Sequence, residues 1–268
     1  MLLLHQLVVR RLLVKGASGR VDMLGDNRAR GLRNVGDVLA VFLIGAAVVK
    51  NCVHGDDFQH DAMWAGAYGL MGLVLLELTG MAGMRLLMRQ RLAESLDRGN
   101  VAAGVAAAAH YVATGIITSR AVAGSDLRGL WLSVTFFLLA QFAHQAIVTL
   151  YRALTTYDDA EQVEGENLAA AISYSGLSIA VAAIVARALE GEFTGWIPAL
   201  TGFGMLVATA FALYPIRQFI VQGLLLGAKP SLRGGDLDEA VGRDRNVAAA
   251  ALEAASYLGT ALAIMVLA

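Results

Sequence analysis

Glu77, His110 and His144 are the residues of this 268-residue chain whose types and surroundings could do chemistry. Each interrupts an uncharged apolar run: Leu75-Leu76-Glu77-Leu78, Ala108-Ala109-His110-Tyr111 and Phe142-Ala143-His144-Gln145. A carboxylate and two imidazoles in a dry helix bundle can pass a proton or hold a small cation through oxygen and nitrogen. Gln141 and Gln145 flank His144 at helical spacings and extend that polar lining. The same side chains also serve as glue between helices, worth on average about 0.6 kcal/mol each. A passage and a scaffold both fit the pattern. Two His and one Glu on separate segments lack the spacing of a His-Glu-x-x-His site, so no metal or other cofactor is expected. No Gly-rich phosphate loop, nucleophile elbow or paired-carboxylate hydrolase pattern occurs, which argues against an enzyme.

The elements that must position these residues are marked by tryptophan and arginine. Trp64 precedes Arg85, Trp131 precedes Arg152 and Trp196 precedes Arg217, each by 21 residues. At a helical rise of about 1.5 Å, that interval covers roughly 30 Å, the hydrocarbon thickness of a bilayer. Tryptophan favours the interface and arginine the cytoplasmic end of a span, so these six residues read as interface anchors. Composition agrees with a lipid environment. Hydrophobic residues make up 57% of the chain and charged ones 16%, against about 25% in soluble domains. Mean hydropathy is +0.60. The net charge of −1 gives no footprint for nucleic acid. The single Cys52 excludes an intrachain disulfide and a multi-cysteine metal site.

A second marker alternates with the first. Asn34, Asn100, Asn167 and Asn246 each open an apolar run rich in Ala and Gly, and asparagine is a good N-cap because its side-chain oxygen accepts an orphan backbone N–H. The chain therefore reads as an all-α polytopic bundle of about seven transmembrane helices in parallel two-helix repeats. Spans are expected at about 34–52, 62–85, 100–120, 130–152, 167–188, 196–222 and 246–266. The units are 34–85, 100–152, 167–217 and the half unit 246–268, forming one bundle over 34–268. Residues 1–33 are an N-terminal amphipathic segment and linker, in which 2–15 could lie in the interface or pack on the bundle. Glu77 and His144 each follow their tryptophan by 13 residues, where the third unit has Thr209. His110 follows Asn100 by 10 residues, about 15 Å into the membrane. Glu77, His110 and His144 are thus expected near the midplane and facing the bundle interior.

Lys and Arg set the orientation. Seventeen of the 21 lie on the side of the N-terminal segment, and only Lys50, Arg120, Arg128 and Arg187 lie on the other. The positive-inside rule then puts the N-terminus in the cytoplasm and the C-terminus outside. Asp37 and Glu253, within two turns of the caps, are expected to complement helix dipoles and pack. Tyr214-Pro215 should kink the sixth span. The loop holding His54, Asp56, Asp57, His60 and Asp61 reads as a solvated surface.

The segment Asp158-Asp159-Ala160-Glu161 through Glu166-Asn167-Leu168-Ala169-Ala170-Ala171 to Gly176-Leu177 resembles the bacterial family called domain of unknown function 350. That family is similar to YjfL-type inner-membrane proteins, with a charged turn and an Asn-x-Ala-Ala entry into a Gly-containing helix. The resemblance covers nearly everything from Asn34 onward. It implies a bacterial inner-membrane location and an envelope-stress context, with a peripheral partner similar to phage-shock protein A. It carries no catalytic residues. The family commonly has four spans, whereas seven and an extension are counted here. The expected role is a structural or stress-associated membrane component; the alternative is a small proton- or cation-coupled transporter or channel built on Glu77, His110, Gln141 and His144. Its expected surroundings are the lipid bilayer and further copies of itself in a homo-oligomer.

Overall fold

The computed structural model describes residues 1–6, 12, 26–55, 57–87, 92–231 and 233–267, with the side chains at 81 and 84–87 outside that description. Among the described residues there is helix and no strand. In chain order the helices are α1 (Leu2–Leu4), α2 (Arg28–Cys52), α3 (Phe58–Leu87), α4 (Leu92–Asp97), α5 (Val101–Ala121), α6 (Leu127–Ala153), α7 (Asp159–Glu164) and α8 (Leu168–Arg187). They continue with α9, the span Trp196–Leu225, then α10 (Asp236–Gly242) and α11 (Val247–Leu267). Seven of these, α2, α3, α5, α6, α8, α9 and α11, are long and apolar enough to cross a membrane.

The spans form two layers. The most extensive contacts join α2 to α5, α5 to α8 and α8 to α11, so the Asn-headed helices stand in a row. Small residues explain the closeness of that row. A Cβ on Gly36, Gly104, Gly115 or Gly176 would overlap Ala108, Ala29, Ala40 or Ala254 of the neighbouring helix. Without a hydrophobic force between helices in lipid, close backbone approach is the main source of packing energy. The pairs 29/104, 36/108 and 40/115 rise together, so α2 and α5 run parallel. The Trp-headed helices make the second layer: α3 covers α2 and α5, α6 covers α5 and α8, and α9 covers α8 and α11. Burial follows position in the row. In α5 and α8, 72% of the apolar window is buried, against 44% in α2 and 28% in α11.

Asparagine builds the polar end of the row in a way its capping role alone does not convey. Asn100, Asn167 and Asn246 accept the N–H of Ala103, Ala170 and Ala249 through Oδ1. The first unit departs from the sequence reading. Its helix begins seven residues earlier, capped by Asn27, which accepts the Arg30 N–H at 3.0 Å. Asn34 is a buried residue inside α2, not a cap. The other half of each cap side chain reaches the next unit. Asn27 Nδ2 donates to Leu96 O at 2.7 Å, Asn100 to Val163 O at 2.7 Å and Asn167 to Val241 O at 2.9 Å. Each of those carbonyls belongs to the short helix leading into the following asparagine, so one side chain caps its own helix and staples the next unit to it. The residue before the cap is left-handed in three units: Gly99 (φ 82°), Glu166 (φ 63°) and Arg245 (φ 53°).

Other expectations shift in detail. In α9 the helix is α over Trp196–Ala208, 3-10 over Thr209–Ala212, α over Leu213–Ile216 and π over Arg217–Leu225, so the change in winding begins ahead of Pro215. In the loop after α2, Asp61 accepts the N–H of His54 and Gly55, and Asp57 accepts those of Gln59 and His60; Asp56 is outside the described residues. Of the N-terminal amphipathic segment, Arg10, Arg11 and Lys15 lie outside the described residues.

Candidate functional site

Glu77, His110 and His144, with the polar residues around them, are held by α3, α5, α6 and α8. Glu77, Gly80 and Gly83 share one face of α3, and the two glycines let α5 come close. A Cβ on Gly80 would overlap the Tyr111 ring, and one on Gly83 the His110 imidazole. All of Glu77, His110 and His144 are fully buried, so each points into the bundle.

They do not form one cluster. His110 and His144 lie together, with ring centroids 6.3 Å apart. His144 Nε2 donates to Ser178 O at 3.0 Å, with Ser178 Oγ at 3.2 Å, and His110 Nε2 faces Thr79 O at 3.4 Å. A carbonyl can only accept, so each Nε2 carries the proton and each Nδ1 is left as a lone-pair base. Neither Nδ1 has a protein partner among the described residues. The same holds for both amide atoms of Gln141, for Gln145 Nε2 and for Thr114 Oγ1. The seam where α5 and α6 meet α3 and α8 thus gathers several buried donors and acceptors without a partner among the described residues.

Glu77 turns to a different set. Its Oε1 accepts from His5 Nε2 at 2.8 Å, and Tyr111 OH donates to Oε2 at 3.4 Å. Arg33 Nη2 is 3.8 Å from Glu77 Oε2 and 2.6 Å from Tyr111 OH, with its guanidinium over the Tyr111 ring. Asp37 Oδ1 is 3.4 Å from His5 Nε2, and because α2 begins at Arg28 it lies nearly three turns inside the helix, so its carboxylate meets an imidazole and not the helix dipole expected from the sequence. His5, Asp37 and Glu77 offer ligand atoms within 4.8 Å of one another, a nitrogen and oxygen set of the kind a borderline divalent ion accepts. Arg33 already supplies positive charge beside it. His5 carries no sequence signal for this position, since nothing local says that the first turn of the chain packs on α2 and α3.

A third buried group lies nearer the asparagine end. Arg217, only 1% exposed, donates to Glu253 Oε1 at 2.7 Å and to Asp238 Oδ1 at 2.6 Å. Arg152 is paired with Asp159 and donates to Tyr157 OH and Ser173 Oγ. Burial pushes the Asp159 carboxyl up, while the Arg152 guanidinium beside it pulls it down; the net direction is upward. Two of the three arginines read as interface anchors are thus internal ion-pair centres. The side chain of Arg85 is outside the described residues. Among the tryptophans, Trp131 and Trp196 are exposed, whereas Trp64 is half-buried and packs on His60 and Tyr68. The partners of Arg152 and Arg217 come from the flanking short helices and from α11, separations that no local motif reports.

These observations define a multipass membrane protein made of stacked helical units around buried polar groups. The chain belongs to the family Domain of Unknown Function (DUF350), whose model matches residues 1–122 and again 125–267. The first match begins at residue 1 and so takes in the stretch ahead of α2 as well. The second module holds four spans, α6, α8, α9 and α11, and the first holds α2, α3 and α5 together with that leading stretch. No curated protein and no solved structure gives a match.

Proposed function

We propose that the protein passes protons or a small cation across the bilayer along the seam between α3, α5, α6 and α8. His110 and His144 are the carriers, and Gln141, Gln145 and Thr114 are the lining. The observation that carries this reading is the set of fully buried polar atoms without a protein partner among the described residues. Glue between helices works by mutual satisfaction, and an unsatisfied polar group in hydrocarbon costs several kcal/mol. Two imidazole lone pairs facing one seam are suited to taking up a proton or ligating a cation. Glu77 contributes charge balance beside Arg33 and His5 rather than a step in the path.

The Asn-headed ends face the cytoplasm in this proposal, on the strength of the 17 Lys and Arg of that side. The membrane is a bacterial inner membrane and the protein is not an enzyme. The test is flux: purified protein in liposomes, with a pH gradient or a cation gradient imposed across the vesicle wall. A rate above that of empty vesicles is expected. Vesicles no leakier than empty ones, over a range of pH and cations, would return the protein to a purely structural or stress-associated role.

A further inference from the structure

Among the described residues, the end of the bundle opposite the asparagines is poor in cations, with Lys50, Arg120, Arg128 and Arg187 its only Lys and Arg. Two of those four converge. Arg120 and Arg187 line one cavity of about 430 Å³, between the C-terminal ends of α5 and α8 and the start of α9. Both clamp the same carboxylate: Arg120 Nη1 is 2.8 Å from Glu190 Oε1, and Arg187 Nη1 is 2.9 Å from Glu190 Oε2. A guanidinium has five N–H donors, and Glu190 engages one group on each. Glu192 adds a second carboxylate to the wall, so the charged lining sums to zero with both signs present.

The opposite wall is apolar. Phe136, Phe193, Phe203 and Leu206 line it. Phe136 stacks on Trp196 at 6.0 Å, and Phe193 meets Trp196 edge-on at 5.1 Å. Trp196 is 51% exposed, in the position of a tryptophan at the level of lipid headgroups. The cavity is therefore a chamber at the boundary between headgroups and acyl chains, half charged and half aromatic. Its volume lies within the range of about 300–1,000 Å³ that small-molecule sites occupy.

We infer that this cavity binds the head of a zwitterionic phospholipid from the adjacent leaflet. The phosphate lies against Arg120 and Arg187, the ammonium against Glu192 and the faces of the aromatic rings, and the first methylenes against Phe203 and Leu206. The balance of charge in the wall selects a head that carries both signs over a purely anionic one. The aromatic wall selects a lipid over the free head.

Gly202 supplies a clean test, because it lines the cavity and a Cβ placed there meets nothing within 4 Å. Gly202→Leu adds a side chain at the cavity wall, at a position where its Cβ has open space. The experiment is thermal unfolding of the full chain in detergent with dihexanoyl phosphatidylethanolamine, dihexanoyl phosphatidylglycerol or soluble phosphoethanolamine added. The zwitterionic lipid should raise Tm saturably, by about 5 °C at roughly a hundredfold excess over Kd. Gly202→Leu should abolish the shift, as should the double variant Arg120→Gln/Arg187→Gln. Arg128→Gln, outside the cavity, should keep it. No saturable shift, or the same shift in Gly202→Leu, would overturn the site. An equal response to phosphatidylglycerol would overturn the zwitterion assignment, and an equal response to soluble phosphoethanolamine would overturn the lipid source.

Discussion

Two buried polar groups in this bundle have opposite bookkeeping. At Arg217 a permanent charge is met by two carboxylates, Asp238 and Glu253, at 2.6 and 2.7 Å. At His110 and His144 each imidazole has one nitrogen engaged and one without a protein partner among the described residues. The first group sits where the last long helix meets a short one, the second in the seam between the two most buried helices. Arg217 Nη1 and Glu253 Oε2 also have no hydrogen-bond partner among the described residues, so the difference lies in charge: opposite ions meet at Arg217, whereas no carboxylate pairs with either imidazole in the seam. Under the proposed function the contrast is one of cement against passage.

The largest effect expected from this contrast is at the cement. Arg217→Met leaves Glu253 and Asp238 buried without their cation, at a cost of about 3–5 kcal/mol. Unfolding in mixed micelles should show the loss, and adding Glu253→Gln and Asp238→Asn should recover most of it. A single variant as stable as the parent would break the comparison. Next comes the backbone contact within the row. Gly104→Val would drive a side chain into the backbone of Ala29, and overpacking of this kind costs typically about 1–3 kcal/mol.

Asn100→Ala removes both the cap on α5 and the staple to Val163, for a loss of about 1–2 kcal/mol. Asn246→Ala, whose residue caps its own helix at the end of the row, should cost less, and equal losses would deny the staple. The smallest effect has the opposite sign. Glu166 holds φ 63° where the preceding unit has Gly99 at φ 82°. Glu166→Gly should stabilise by roughly 0.5–1 kcal/mol, since only glycine adopts the left-handed region without a Cβ penalty.

Much of the architecture was legible because membrane spans are written in composition. Long apolar runs, a tryptophan at one end and an asparagine followed by alanines at the other gave each span to within a few residues. The start of α2 differs from the sequence reading for a physical reason. Asn27 and Asn34 lie seven residues, or two turns, apart on one face, and only Asn34 is followed directly by the small and apolar residues that open the other units. The charges at Arg28, Arg30 and Arg33 looked like a loop, whereas the helix runs on beyond the apolar stretch, and Arg30 pairs with Asp97. Arg152 and Arg217 read as anchors in the sequence because they follow a tryptophan at the spacing of one span. Their partners are set by tertiary packing, which a single sequence does not display. In the histidine seam, His110, His144 and Gln141 stood out as polar residues in apolar runs. Ser178 did not, because a serine in a helix is ordinary, and the separation of Glu77 from the histidines followed from His5.

The most direct test is proton flux in liposomes with an imposed pH gradient, comparing the parent with His110→Leu and His144→Leu. Leucine leaves no orphaned imidazole, so stability should move little, by about 1 kcal/mol or less. The account predicts saturable flux in the parent and a fall of roughly tenfold or more in either variant, at unchanged helix content and Tm. Flux that both variants retain in full would contradict it.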